Sequence, residues 1–188
     1  QLHRRQRQMC IRDSFDDDLA YQSALLGSAK VEVIALTQTS ASMSSEDYDA
    51  NAKRQMSAKS GVPALTSAEA IADAVRALGG QRIALVSPYS ETVMMRTRQY
   101  YEDRGLTVVA TAAFGATDAY SIGGLGAENA SEAFARIDDP AIDVMVVPGG
   151  NFPTMAFIAQ WERMLAKPVI TTNQVVVLSL IHISEPTR

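Results

Sequence analysis

Two stretches indicate the fold: VEVIALTQTSAS at residues 31–42 and IDVMVVPGGN at residues 142–151. Each begins with a short apolar run rich in valine and isoleucine and ends in small, polar or hydroxyl-bearing residues. A short apolar run of this kind is typical of a strand buried on both faces of a parallel sheet. The two stretches therefore predict two buried parallel strands, each followed by a polar turn at its carboxyl end.

Outward from these stretches, predicted strands alternate with predicted helices. Glycines at positions 61, 79, 80 and 105 end the helical patterns, as is usual at helix C-termini. The predicted strands are 31–36, 62–65, 82–86, 106–112, 142–147 and 168–170, and the predicted helices are 16–29, Ser44 or Ser45 to about 60, 68–78, 91–104, 129–137 and 153–165. This alternation predicts an α/β fold with a parallel sheet and right-handed crossovers.

Polar clusters follow the predicted strands at TQTSAS (37–42), SPYS (87–90), PGGN (148–151) and TTNQ (171–174). Ligands of open parallel sheets bind outside the carboxyl ends of the strands. These clusters are therefore the candidate site. The segment 114–126, rich in glycine and small residues, is predicted to be a functional loop.

The chain also contains an internal repeat. VEVIAL-TQTSAS, a helix and GVPALTSAE at 61–69 resemble IDVMVV-PGGN, a helix and KPVITTNQ at 167–174. Each unit consists of a strand, a polar turn, a helix, a short proline-bearing strand and a threonine-led helix cap. Duplication predicts two lobes related by a pseudo-two-fold axis, with a cleft between them. The alternative is that any two strand–helix–strand units look alike.

Composition excludes several classes of protein. With 188 residues, 47% of them hydrophobic, the chain is long enough for one sizeable core or two small lobes. No apolar run approaches the ~20 residues of a membrane helix, and the basic start lacks the apolar core of a secretory signal. A formal net charge of −4 argues against nucleic acid as a partner. The single cysteine excludes an intramolecular disulfide and favours a cytoplasmic location.

The two ends differ from the rest of the chain. Residues 1–14 are densely basic without an apolar period, and LSLIHISEPTR at the C-terminus follows an unfinished helix pattern. Both resemble translated sequencing-adapter read-through in genes assembled from environmental DNA. We therefore predict that 1–14 and 179–188 are artefactual tails of a metagenomic fragment; the alternative is a genuine basic arm and a C-terminal strand. Because these tails contain Cys10, His3 and His182, the remaining body has no cysteine or histidine.

Several motifs together resemble a known family. VEVIALTQTSAS, GVPALTSAEAIADAVRALGGQRIALVSPY, PGGNFPT and KPVITTNQ are similar to maleate cis–trans isomerases and arylmalonate decarboxylases of the aspartate/glutamate racemase superfamily. The resemblance covers nearly all of 15–178. It implies two Rossmann-like lobes, the first at 15–80 with 168–178 returning to it and the second at 81–167. It further implies truncation at both ends, since full-length members have an additional N-terminal strand and a terminal helix.

The resemblance also implies the chemistry. It predicts a small carboxylate or dicarboxylate as substrate, an enediolate-type intermediate, no metal or organic cofactor, and a homo-oligomer. Isomerases and racemases of the family place one cysteine on each lobe as base, nucleophile or acid. Here Gln38 occupies the first cysteine position and Gly149 the second, or Pro148 if the alignment slips by one residue. The usual cysteine mechanism is therefore unavailable to this chain.

What remains is the anion-binding half of the site. By resemblance, the catalytic positions are Tyr89, Gln38 and Gly149, and the substrate-binding positions are Thr39, Ser40, Gly150 and Asn151. Hydroxyl and backbone N–H groups near a helix start can hold a carboxylate or an enediolate. Each residue also has a structural interpretation: Thr39 and Ser40 as helix caps, Tyr89 as a packed aromatic.

Three functions stay open at this point. The first is an isomerase, decarboxylase or lyase with a replacement acid or base, for which the candidates are Tyr89, Asp118 or a residue of the N-terminal segment that is expected to be missing. The second is a non-catalytic carboxylate-binding paralogue. The third is a flavodoxin-like or periplasmic-type sensor lobe that shares only the topology. Asp118 and Tyr120 are also candidates for a lid, Thr172 and Asn173 are predicted to cap the last helix, and Met94, Tyr100, Tyr101 and Trp161 are predicted to be packing residues.

Overall fold

The computed structural model describes residues 18–116 and 118–184. The helices are α1 (18–28 in its described part), α2 (Tyr48–Ser60), α3 (Ser67–Ala77), α4 (Glu91–Glu102), α5 (Ala119–Gly123), α6 (Ala127–Ile137), α7 (Ile158–Leu165) and α8 (Thr172–Ser184). The strands are β1 (Ile34–Leu36), β2 (Ala64–Thr66), β3 (Arg82–Ser87), β4 (Thr107–Ala113), β5 (Val144–Val147) and β6 (Val169–Thr171). Short 3-10 helices cover Thr39–Met43 and Met155–Phe157.

The strands form two parallel sheets. One contains β1 and β2, and the other has the strand order β4-β3-β5-β6. Every pairing between described strands is parallel, which confirms the predicted α/β fold. The carboxyl ends of neighbouring parallel strands lie at the same edge of a sheet, so the polar turns that follow them are brought together.

The two units of the predicted repeat have the same order of elements in the structure. Leu36 pairs with Thr66 at the end of β1 and β2, and Val147 pairs with Thr171 at the end of β5 and β6. In each unit a helix begins directly after the second strand, α3 in the first and α8 in the second. These two helices pack against each other. The seam between the units is therefore formed by α3 and α8.

The four-stranded sheet is buried on both faces, because successive strand residues point to opposite sides. One face packs against α3, α4 and α8, and the other packs against α6 and α7. The side chains on the first face are Ile83, Leu85, Val144 and Val146, and those on the second are Ala84, Val86, Met145 and Val147. The predicted packing residues Met94, Tyr100, Tyr101 and Trp161 are all buried, as expected.

The predicted start of α2 is wrong. Ser44 or Ser45 is expected to cap it, but Ser44 instead ends the 3-10 helix, and Asp47 is the residue before α2 begins. The prediction thus starts α2 a few residues early, in the turn between the 3-10 helix and Tyr48. The segment 114–126 likewise contains the short helix α5, which Asp118 caps by accepting a hydrogen bond from the Ser121 N–H at 2.8 Å.

The C-terminal segment also differs from the expectation. Residues 168–178 are expected to return to the first lobe, but β6 pairs with β5 and belongs to the larger sheet. The return is made by α8, which packs on α3. Helix α8 continues through 179–184, the first part of the predicted C-terminal tail. The other predicted tail, 1–14, lies outside the described residues, and within those residues no helix has the length and apolarity to span a membrane.

A buried carboxylate joins α2 and the 3-10 helix at 39–43 to α4. Asp49 of α2 is 2% exposed and accepts hydrogen bonds from the Ser42 hydroxyl at 2.5 Å and from the Tyr100 hydroxyl. Arg104 forms an ion pair with the same carboxylate at 3.0 Å, and its guanidinium lies 3.5 Å from the centre of the Tyr100 ring. Since Ser42 belongs to the 3-10 helix at 39–43, this network anchors that helix to α4.

We expect Asp49→Asn to destabilise the protein by about 3 kcal/mol, because it leaves Arg104 without its buried counter-charge. Urea unfolding monitored by circular dichroism measures the change. Asp73→Asn is the matched control, since Asp73 is 75% exposed and pairs with Arg76 on the surface. Its loss should cost less than about 0.5 kcal/mol. Equal effects of the two substitutions would contradict a structural role for the buried network.

Candidate functional site

A cavity of about 630 Å³ lies at the carboxyl ends of β1, β3 and β5. It brings together all seven residues that sequence analysis selected, although their roles remain predictions. The cavity is lined by Thr37, Gln38, Thr39, Ser40, Tyr89, Ser90, Val93, Ala116, Asp118, Ile122, Gly149, Gly150, Asn151 and Asn173. A larger groove of about 800 Å³ runs beside α3 and α8, but its lining is mainly apolar and includes none of the seven.

The first wall is the turn that follows β1. Gln38 is exposed at its start, Thr39 is 1% exposed, and Ser40 is half-buried. The Thr39 hydroxyl oxygen lies 2.9 Å from the Ser67 hydroxyl oxygen and 3.1 Å from that of Thr172. Buried polar groups are costly unless they are hydrogen-bonded, so these contacts hold the turn in one position.

Tyr89 forms the second wall, directly after β3. Its ring is 7% exposed, and its hydroxyl is hydrogen-bonded to the side chains of Thr39 and Ser40. Burial raises the pKa of Tyr89 to about 12, an effect that the two hydrogen bonds partly oppose. A tyrosine is already protonated at neutral pH with its ordinary pKa of 10.0, and burial moves the pKa of Tyr89 further from neutrality, so its phenol can donate a hydrogen bond to an anion. It is not a base under these conditions.

The third wall is the turn after β5, where two glycines are required. Gly149 has a φ of +129°, a conformation that residues with a side chain rarely adopt. A Cβ at this position would lie 2.9 Å from Cγ of Pro88. A Cβ at Gly150 would lie 3.1 Å from the carbonyl oxygen of Thr37. Gly149 therefore has no room for a larger side chain in this backbone conformation.

Helix α8 supplies contacts that sequence analysis did not anticipate. The Thr172 hydroxyl accepts a hydrogen bond from the Gly149 N–H at 2.9 Å, and the Asn173 side-chain amide donates to the Gly150 carbonyl at 3.0 Å. Both residues are predicted only to cap α8, although the TTNQ cluster is correctly located at the end of a strand. Ser67 is not among the predicted residues; its position in TSAE, equivalent to Thr172 in TTNQ, is the signal that could have found it.

Among the described residues, the ionisable side chains that line the cavity are those of Tyr89 and Asp118. The Asp118 carboxylate caps α5 through the Ser121 N–H, as described above. Tyr120, a candidate lid residue, is 94% exposed and is not part of the lining. Among the described residues, no three His, Cys, Asp or Glu side chains are grouped so that they could hold a metal ion. The cavity wall therefore consists mainly of neutral hydrogen-bonding groups.

We expect Gly149→Ala to destabilise the protein by about 3 kcal/mol, from backbone strain together with overlap with Pro88. Gly105→Ala is the matched control. Gly105 also has a positive φ, of 80°, but nothing lies within 4 Å of the position that an added Cβ would take. The control should cost only about 1 to 2 kcal/mol. Denaturant titration compares the two variants, and an equal loss would show that contact with Pro88 is unimportant.

Alkaline pH should destabilise the protein. The pKa values of Tyr89, Tyr100 and Tyr101 are all raised, mainly by burial, so the folded state keeps protons that the unfolded state releases near pH 10. Their contribution to stability is complete below pH 10 and is lost as the pH rises through the folded-state values. Tyr89→Phe should make the decrease between pH 10 and about 12 less steep than in the original protein. Unfolding free energies measured across this range test the difference.

Comparison with known proteins gives consistent matches. Maleate isomerase from Alcaligenes faecalis is 24% identical over 111 residues, which cover 58% of this chain and 44% of the relative. The chain thus matches a little under half the length of that protein. A variant of maleate isomerase from Pseudomonas putida S16, crystallised with maleate, superimposes with a TM-score of 0.87 at 23% identity and covers 90% of this chain and 71% of that chain.

A crystal structure of arylmalonate decarboxylase superimposes with a TM-score of 0.84 at 20% identity and covers 94% of this chain and 79% of that chain. At such identities the two superpositions establish the fold. The family itself is established by the sequence, since residues 11–186 match the family model for arylmalonate decarboxylase. This match includes nearly the whole chain and agrees with the motifs that surround the cavity. The protein therefore belongs to the arylmalonate decarboxylase family.

Proposed function

We propose that the protein is a cofactor-independent enzyme that decarboxylates or isomerises a small carboxylate through an enediolate-type intermediate, without either family cysteine. The observation that carries this proposal is that neutral donors from three turns line one cavity together with the buried Tyr89 phenol. Fixed donors directed at a developing negative charge stabilise a transition state strongly, because they need no reorganisation during the reaction.

The donors come from different parts of the fold. Ser40 supplies a half-buried hydroxyl, Tyr89 a phenol and Asn151 an exposed side-chain amide. Gly149 and Gly150 let the ligand approach the backbone closely from the opposite side. A carboxylate in the cavity would thus be held by hydrogen bonds rather than by an ion pair, since no lysine or arginine belongs to the described lining.

Decarboxylation is the reaction that these groups support best. In a malonate-type substrate, with two carboxylates on the α-carbon, breaking one of the two carbon–carboxylate bonds releases CO2. The electron pair passes into the remaining carboxylate as an enediolate, so no base is needed for this step. The α-carbon must then receive a proton, which we assign to the Tyr89 phenol, with water reprotonating the phenolate. Isomerisation or racemisation would instead need a nucleophile or base, for which Asp118 is the candidate.

A second function is favoured by a different observation. By the resemblance, Gln38 stands at one family cysteine position and Gly149, or Pro148 if the alignment slips by one residue, at the other. None of these side chains can act as an acid or base near neutral pH. A cavity with donors and no proton-transfer group would bind a carboxylate without converting it. The alternative is therefore a non-catalytic carboxylate-binding paralogue, for which tight binding and no turnover are expected.

The test is incubation of the full chain with phenylmalonate or maleate in deuterated water, followed by NMR. For an enzyme, we expect CO2 loss with deuterium at the α-carbon of the product, or isomerised maleate. Tyr89→Phe should reduce the rate by roughly 100-fold or more. Tyr120→Phe, which changes an exposed tyrosine outside the cavity, is the matched control and should have no effect.

Two other results have different meanings. Saturable thermal stabilisation by either acid without turnover would contradict the enzyme and support the carboxylate-binding protein. Neither turnover nor stabilisation would overturn both functions for these acids. Turnover that persists at the same rate in Tyr89→Phe would keep the enzyme but remove Tyr89 from its catalytic role.

A further inference from the structure

Three buried hydroxyl groups meet at the seam between the two repeat units. Thr39 follows β1, Ser67 begins α3 and Thr172 begins α8. Each of these residues is 1% exposed or less. The hydroxyl oxygen of Thr39 lies at the centre, 2.9 Å from that of Ser67 and 3.1 Å from that of Thr172. Each unit thus contributes the first residue of one helix to a common hydrogen-bond network.

The Thr39 hydroxyl has several partners within the protein. A threonine hydroxyl can donate one hydrogen bond and accept two. Besides Ser67 and Thr172, the Tyr89 hydroxyl is hydrogen-bonded to the Thr39 side chain. We therefore expect this hydroxyl to hold Tyr89 in position.

Thr172 connects this centre to the opposite wall of the cavity. Its hydroxyl is bonded to Thr39 on one side and accepts the Gly149 N–H at 2.9 Å on the other. Gly149 is buried and has a φ of +129°, so its N–H would be left without this acceptor if Thr172 lost its hydroxyl. A buried donor without an acceptor is costly, and the turn would move to find one.

We propose that Thr172 is a positioning residue that sets the geometry of the cavity by joining its two polar turns, through Thr39 on one side and Gly149 on the other. The role of this geometry in ligand binding rests on the proposed function. The connection of the two turns by Thr172 does not depend on the proposed function, and it can be measured without a ligand. Ser67 does not join the two turns, because its hydroxyl contacts only Thr39, on the first turn.

The first experiment uses NMR of the ligand-free full chain. Thr172→Val keeps the shape of the side chain and removes the hydroxyl, and it should shift both the Gly149 amide resonance and the Tyr89 ring-carbon resonance next to oxygen. Ser67→Ala should shift the Tyr89 resonance and leave the Gly149 amide in place. Thr172→Ser should restore both resonances to near their original positions.

Thr97→Val is the matched control. Thr97 is also fully buried, but its hydroxyl donates to the Val93 carbonyl within α4, at 2.9 Å. Thr97→Val should destabilise the fold about as much as Thr172→Val does, and it should leave both resonances unchanged. If Thr172→Val does not fold, Thr172→Ala replaces it. The proposal is overturned if loss of the Thr172 hydroxyl moves neither resonance, or moves only one of them.

The second experiment measures binding of phenylmalonate and maleate to the same variants by calorimetry. Thr172→Val should weaken binding by roughly three- to tenfold, the loss expected from one misplaced hydrogen bond, and Thr172→Ser should recover it. Thr97→Val should bind like the original protein. If the original protein binds neither acid, the proposed function fails for these ligands, and the NMR result alone decides whether Thr172 joins the turns.

Discussion

The hydrogen bonds at the seam between α3 and α8 constrain everything around the cavity. Each repeat unit ends its second strand with a threonine and starts a helix directly afterwards, so Ser67 and Thr172 arrive at equivalent positions. Their hydroxyls converge on Thr39, and Thr172 also binds the Gly149 N–H. A polar contact of this kind at a helix junction is directional, whereas apolar packing alone would allow the turns to slide.

The cavity combines this fixed geometry with little formal charge. Among the described residues, its lining contains Tyr89 and Asp118 as ionisable side chains, and the Tyr89 phenol is protonated at neutral pH. Asp118 is engaged in capping α5. Such a wall favours hydrogen bonding to an anion over ion pairing, which agrees with the small carboxylates that we propose as ligands. The network around Asp49 stabilises one wall of the cavity, because it binds Ser42 in the 3-10 helix at 39–43, which also contains Thr39 and Ser40.

Much of this arrangement could be predicted from the sequence, because parallel strands place their polar ends along one edge of a sheet. Tyr89, Gln38 and Gly149 were selected from three different segments, and all three line the same cavity. The errors have physical causes. The 3-10 helix at 39–43 and α5 are too short to show a helical period. The membership of β6 in the larger sheet depends on a pairing with β5 that no local pattern encodes.

By itself, the sequence determined the parallel α/β fold, the internal repeat and the family, since apolar periodicity and ordered motifs are local properties of the chain. That residues 11–188 contain no cysteine is likewise a matter of sequence. Only the tertiary structure decided that the Thr39 hydroxyl is shared among three protein partners, that Thr172 spans both turns, and that Pro88 closes the space beside Gly149. Those facts depend on distances between residues that are far apart in the chain, and such distances exist only once the two units have packed together.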